Sequence, residues 1–394
     1  MADKPYYPGS SVAHISTLAA MLEINRDLIE KHSKNTSSSY TTFLISPPSK
    51  KSREVSEPKE SLKKIQKRIN SRIMSEVDYP KYLMGGIRDT ASRRDYVNNS
   101  KLHLKPETLI NLDIENFFPN IHKEHVKNVF KYLFRFSEDV SETLSCLTTL
   151  EGVVPQGGCT STYLGNLVFF NYEYGVVSKL RSKGISYSRL LDDITLSSKK
   201  RLTEEEKTWA ISLVAGMINH YGMNMHDGKT RIEHRESRDA KYEVTGAWVR
   251  HGEPKIRKDD RKKIRSAVRK CEIMYEESPY SSEYHKQWNK TSGRVAQLGR
   301  FNHKAEEKKL RERLKTILPL YDDVYSKTLS VKVNQVVRRR RKNQINIDSV
   351  GTRNYILKLY HELGIMARTK KTQARRLKQS LRENFGNIIS NPHY

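Results

Sequence analysis

The sequence predicts an α+β chain, and three observations carry that prediction. Residues 185–198 place two short runs of β-branched, aromatic and aliphatic residues on either side of Asp192 and Asp193. That is the pattern of a tight hairpin lifting two carboxylates out of a sheet. Residues 110–113 form a largely apolar run that ends on Asp113, as at the mouth of a strand, with Phe117 and Phe118 shortly after. Apolar residues also recur at helix spacing: Leu62, Ile65, Ile69 and Ile73, then Ile264, Val268 and Ile273, each set flanked by lysines and arginines. Such stretches bury one face and offer a basic one.

A chain of 394 residues can build a substantial core in two or three subdomains. Lysine plus arginine number 72 against 45 acids, a net charge of +27. This excess points to a polyanionic partner and salt-sensitive binding. A merely solubilising surface rarely needs so much charge of one sign. No run reaches the length of a membrane-spanning helix, and Met1–Pro5 lacks the apolar core of a signal peptide. Cys146, Cys159 and Cys271 are odd in number and unclustered, which suggests a reducing cytoplasm and no zinc site.

Asp113, Asp192 and Asp193 are the chemistry-bearing residues. An Asp-Asp pair alone reads as an ordinary turn, and a strand-end aspartate can simply face water. Successive strand residues point to opposite faces, so only one of the pair aims at a ligand unless the turn rotates them. Three converging carboxylates repel one another unless cations join them. A site of several hard oxygens suits divalent ions, and paired ions suit phosphoryl and nucleotidyl transfer.

In chain order, residues 11–32 carry one helical pattern, 33–39 a polar break and 40–45 a strand that returns near 54–56. The intervening turn holds Lys50, Lys51 and Arg53, cations suited to a triphosphate or to solvent. Residues 84–100 combine Gly85 and Gly86 with Arg88, Arg93 and Arg94, a composition suited to a phosphate backbone. Residues 123–150 contain a helical run marked by Val126, Val129, Phe130, Leu133 and Phe134, and Pro155–Gly158 make a loop. Thr160 or Ser161 then caps a helix whose apolar side runs from Tyr163 to Tyr174. Residues 221–230 close a helix and turn, 244–256 read as a small hairpin, and 258–270 start a basic helix. Residues 331–394 carry 15 basic and 3 acidic residues, peaking at Arg338, Arg339, Arg340 and Arg341. Their apolar positions predict a helical extension suited to a structured RNA or a neighbouring subunit, unless the charge is only a solvated face.

Three motifs in order carry a resemblance: Leu112-Asp113-Ile114-Glu115-Asn116-Phe117-Phe118-Pro119-Asn120-Ile121, then Val154-Pro155-Gln156-Gly157, then Leu190-Leu191-Asp192-Asp193. Over roughly residues 15–320 the chain resembles bacterial reverse transcriptases, in particular the retron-type and defence-associated branches. The resemblance implies a right-hand polymerase fold of fingers, palm and helical thumb, with a basic, mainly helical C-terminal extension. It divides the chain into an N-terminal helical element (1–39), fingers (40–104), a palm with an inserted fingers segment (105–256), a thumb (257–330) and the extension (331–394). It implies an RNA-directed DNA polymerase in which Asp113, Asp192 and Asp193, helped by the Ile114 carbonyl, hold two Mg²⁺ that Mn²⁺ can replace. Lys51, Arg53, Phe118, Gln156 and Lys229 become nucleotide contacts, with Phe118 the wall that excludes a 2′-hydroxyl. Arg88, Arg93, Arg94, Arg261, Arg265 and Arg338–Arg341 become nucleic-acid contacts, and 244–256 the primer grip.

Expected partners are a structured non-coding RNA as template or scaffold, the DNA product and dNTPs. There is room for a partner protein or a second copy of the chain, but no membrane. The chain departs from the family at Leu190, where an aromatic is usual, at Gly158-Cys159, at Gly86-Ile87 and at Asn116. The first two motivate an alternative, a polymerase making repetitive or untemplated DNA. A non-catalytic RNA scaffold is the reading from a different class. Antiviral defence is the expected setting, with mobile-element maintenance its competitor.

Overall fold

The computed structural model describes residues 3–46, 52–236, 240–347 and 349–390. It is an α+β chain that divides into two units, 1–255 and 256–394. The first opens with α1 (Ile15–Leu22) and α2 (Arg26–Lys34). The single helical pattern expected over 11–32 is therefore two helices. Glu23 turns left-handed at φ 52°, and the Asn25 side chain accepts from Asp27 N to start the second. Strands β1 (Tyr40–Ile45) and β2 (Arg53–Pro58) pair as an antiparallel ribbon. Lys50 and Lys51 lie outside the described residues. Helix α3 (Glu60–Arg72) buries Leu62, Ile65 and Ile69, the expected stripe.

A five-stranded sheet follows, in the order β3–β5–β6–β4–β7. It is built from β3 (Leu83–Met84), β4 (Thr108–Asp113), β5 (Ile185–Leu190), β6 (Asp193–Ser198) and β7 (Arg231–His234). Only β3–β5 is parallel. Helices α4 (Tyr96–Lys101), α5 (Lys123–Asn128), α6 (Glu138–Thr148), α7 (Ser161–Leu167), α8 (Glu173–Ser182) and α9 (Glu204–His220) complete the layers with a small β8 (Glu243–Val244) and β9 (Ala247–Trp248) hairpin. Trp248 also bridges Lys255. One core joins the sheet to these helices and includes Ile110, Leu112, Phe130, Leu164, Phe169 and Ile194.

Two expectations are corrected here. The apolar run 163–174 is not one helix, because α7 ends at Leu167 and α8 begins at Glu173. Thr160 stands at the cap position of α7 but makes no cap bond, while Ser161 donates from Oγ to Pro155 O at 2.7 Å.

The second unit is helical: α10 (Lys258–Glu277), α11 (Ser282–Arg300), α12 (Lys304–Thr316), α13 (Asp323–Arg341), α14 (Val350–Met366) and α15 (Lys371–Ser390). Helix α11 buries Tyr284, Thr291, Val295 and Leu298. Helix α13 runs unbroken past residue 331 and shares a core with α14 and α15, including Leu329, Val333, Leu359, Leu363 and Leu381. Among the described residues no helix is long and apolar enough to cross a membrane.

Candidate active site

Strand β4 ends on Asp113, and its register sets Asp113 opposite Asp193, the first residue of β6. Directly paired residues point to the same face, so these two carboxylates share one side of the sheet. Leu190 is paired with Asp193 across the hairpin and joins that face. The turn is only Leu191 and Asp192, with Leu191 left-handed at φ 60°. Asp192 O accepts from Ile114 N at 3.1 Å, which ties the turn to the chain leaving β4. Ile114 bridges Met225, through bonds that use the carbonyls of Asp113 and Asn224 and leave out that of Ile114.

The acids sit in opposed fields. Asp113 is buried, and its Oδ2 accepts from Lys229 Nζ at 2.7 Å. Removal from water raises Asp192, with the Asp113 charge adding to it and Lys229 and Arg53 opposing. Asp193 still meets solvent, but the protein around it and the charges of Asp192 and Asp113 push it up to about 6. Among the described residues no three His, Cys, Asp or Glu side chains are drawn together into a metal-binding cluster. The donors nevertheless fit a hard divalent ion in kind: all are oxygens, and two carboxyls resist ionisation until a cation offsets their neighbours.

Two loops close on this corner. Ser56 N in β2 donates to Gln156 O at 2.8 Å, so the 155–158 loop docks on the strand that begins with Arg53. Gly157 makes that approach possible: at φ +109°, a Cβ would lie 2.8 Å from Val55 Cγ1 and 3.0 Å from Ser56 O. Phe117 and Phe118 lie beyond the strand, with Phe118 opening a single 3₁₀ turn, so strand alternation does not separate them. Phe117 is nonetheless buried and Phe118 half-exposed, and both rings pack against Gly165 of α7, where a Cβ would meet them at 3.1 and 3.3 Å.

The arginines divide. Arg88 and Arg93 are exposed. Arg94 is turned inward. It donates from Nε to Asp89 Oδ2, from Nη1 to the Pro80 and Leu83 carbonyls and from Nη2 to Tyr79 O, all within 3.0 Å. Sequence composition cannot distinguish a guanidinium spent on carbonyls from a free one. Within the second unit, Arg261 and Arg265 share Glu306 at 3.0 and 2.5 Å. Arg338–Arg341 form the last turn of α13, where cations complement the helix dipole.

Sequence reasoning assigned no role to Arg189 and Glu173, a fully buried ion pair under the hairpin. The available signal was parity, since Arg189 falls in step with Ile185 and Tyr187 on the inward face of β5.

These features define a carboxylate-centred corner of a mainly antiparallel sheet, flanked by the β1–β2 ribbon that carries Arg53 and by a glycine-bearing loop. The chain belongs to the reverse transcriptase (RNA-dependent DNA polymerase) family, which it matches over residues 30–275. It is 42% identical over 380 residues to the Retron Se72 reverse transcriptase of Salmonella heidelberg (strain 579083-10), covering 96% of this chain and 98% of that one. It is 32% identical over 265 residues to the Retron Ec48 reverse transcriptase of Escherichia coli, covering 65% and 64%. The Retron Ec86 reverse transcriptase of Escherichia coli is 25% identical over 221 residues, covering 56% and 66%.

Proposed function

We propose that this enzyme is an RNA-directed DNA polymerase that extends a primer 3′-hydroxyl with deoxynucleotides on an associated structured RNA. The observation that carries the reading is the register of Asp113 against Asp193 beside the Leu191–Asp192 turn, in a chain of the reverse transcriptase family. Asp113, Asp192, Asp193 and the Ile114 carbonyl would hold two Mg²⁺. Bound there, the ions supply Lewis acidity toward the attacking hydroxyl and the transferring phosphate.

The chain's own residues bind and orient. Lys229 offsets the charge of Asp113, and Arg53 takes the triphosphate. Phe118 walls off a 2′-hydroxyl, and Gln156 lies beside the new base pair. Arg88 and Arg93 hold the template backbone, Arg261 and Arg265 serve the thumb, and Arg338–Arg341 serve the RNA-binding extension. The fingers, palm, thumb and extension follow the divisions at 40, 105, 257 and 331. Antiviral defence is the setting we assign, consistent with relatives named as retron enzymes.

The test is purified protein with its co-purifying RNA, Mg²⁺ and four labelled dNTPs, wild type beside Asp192→Asn, with the product sequenced. DNA from wild type alone, matching the RNA, supports the reading. DNA of low complexity favours the second reading, repetitive or untemplated synthesis, for which Leu190 beside Asp193 is the supporting observation. No DNA from either form, with native RNA and neighbouring proteins restored, supports a scaffold instead.

A further inference from the structure

The least expected group in the hairpin lies beneath it. A guanidinium carries five N–H donors, and fully buried Arg189 uses all of them. Nε donates to Glu173 Oε1 at 2.6 Å and Nη2 to Glu173 Oε2 at 2.9 Å. Nη2 also donates to Asn166 O at 3.0 Å, and Nη1 to Gly165 O at 2.8 Å and Leu191 O at 3.2 Å. The Tyr187 hydroxyl completes the carboxylate, donating to Glu173 Oε1 at 2.6 Å. The guanidinium lies 5.0 Å from the centre of the Phe169 ring. Gly165 and Asn166 belong to the last turn of α7, where a cation is favoured.

The bond to Leu191 is the one that reaches the acids. A leucine at φ 60° persists only where its surroundings impose it. The Leu191 carbonyl belongs to the same peptide plane as the Asp192 N–H, so gripping that oxygen sets the orientation of the link into Asp192. Strand alternation puts Arg189 on the face opposite Leu190 and Asp193. The cation therefore acts from below, on the backbone from which the acids project.

We propose that Arg189, locked by Glu173, is a positioning residue that fixes the pose of the Leu191–Asp192 turn and so the convergence of Asp192 and Asp193 on divalent cations. This rests on the polymerase reading above. Filling the space does not require an ion pair, since an apolar pair of similar volume avoids the desolvation cost. Five aimed donors supply what an apolar pair cannot, a defined direction for each carbonyl.

The experiment pairs Arg189→Met with Glu173→Leu in the full chain, removing both charges so that neither is left buried alone. Arg189→Lys, which keeps the charge but loses the fork, is measured beside it. Circular dichroism checks folding. Mn²⁺ affinity is read by electron paramagnetic resonance without nucleic acid, and single-turnover addition of dTTP is read on poly(rA)–oligo(dT). In the folded double variant, Mn²⁺ affinity and the single-turnover rate each fall about 10- to 100-fold, while dTTP and primer–template affinities change less than about threefold. A folded double variant with wild-type Mn²⁺ affinity and rate overturns the proposal. If the double variant does not fold, Arg189→Lys decides by the same two readouts. Wild type that neither binds Mn²⁺ nor extends the primer removes the polymerase reading itself. Wild type that does both, matched by the variants, removes only the positioning role.

Discussion

Lys229 Nζ stands 2.7 Å from Asp113 Oδ2, a contact between residues 116 positions apart in the chain. Lys229 closes a short 3₁₀ turn after α9, and the backbone before it is tied to β4 by His226 N donating to Asp113 O at 2.8 Å. The ammonium thus takes one oxygen of the acid that faces Asp193. It both balances the carboxylates and competes with any cation they bind.

Lys229→Met separates those two effects. The pair is half-open to water, so its worth is about 1 kcal/mol or less and the gain in Mn²⁺ affinity is a few-fold. Primer extension falls in the same variant if Lys229 also steadies the incoming triphosphate. Titration of Mn²⁺ and kcat/KM for dNTP, measured together, check both halves.

Asp193 gives a pH dependence opposite to that of a salt-bridged aspartate. Its carboxyl is raised from 3.8 to about 6, so the folded protein holds the proton more tightly than the unfolded chain does. The stability this contributes is full below about pH 4 and is lost as pH rises through about 6. Metal-free Asp193→Asn is expected to be more stable than wild type at pH 8 by about 1 kcal/mol, a value discounted for solvent exposure, with the gap closing at pH 4. Urea midpoints at the two pH values test this. Mn²⁺ affinity of wild type should weaken as pH falls below about 6, because the proton competes for the same oxygens.

His103 behaves in the reverse sense. It is buried between Ser197 Oγ and Ser188 Oγ, each 2.7 Å away, and burial aided by Lys199 drops it from 6.5 to about 3. The unfolded chain takes up this proton first, so stability is full above 6.5 and drains as pH falls toward about 3. The loss between pH 7 and pH 4 is on the order of 3 kcal/mol. His103→Gln should flatten the dependence of the urea midpoint over that interval.

Gly157→Ala forces a Cβ into β2 at a strained φ. The expected cost is about 2 kcal/mol, with the 155–158 loop undocked from the strand that carries Arg53. The melting temperature and KM for dNTP should both worsen, whereas Gly152→Ala, with nothing within 4 Å of its added Cβ, should leave KM unchanged.

Arg93 and Arg94 make an adjacent pair with opposite expectations. Arg93→Ala should reduce the salt slope of RNA binding by about one while leaving the melting temperature near wild type. Arg94→Ala removes the partner of three carbonyls and Asp89, and should lower the melting temperature with little change in salt slope. Filter binding across a salt series distinguishes them.

The sequence by itself determined the α+β class, the Ile185–Ser198 hairpin, the strand ending at Asp113 and the stripe of α3, because periodicity and turn composition are local properties. In α10 it found Ile264 and Val268 but not the third position, where Cys271 is buried and the expected Ile273 is exposed. Local reasoning stopped where the backbone changes direction without a glycine or proline, as at Glu23 and Leu191. It also could not apportion charge. Arg88, Arg93 and Arg94 read alike, and only tertiary contacts turn the third inward. The register of Asp113 against Asp193, the approach of Lys229 and the Arg189–Glu173 lock join residues dozens of positions apart or more, or lie under a surface that sequence does not display. Those relations were decided by the tertiary structure, since a buried charge persists only where the fold brings donors and acceptors to meet it.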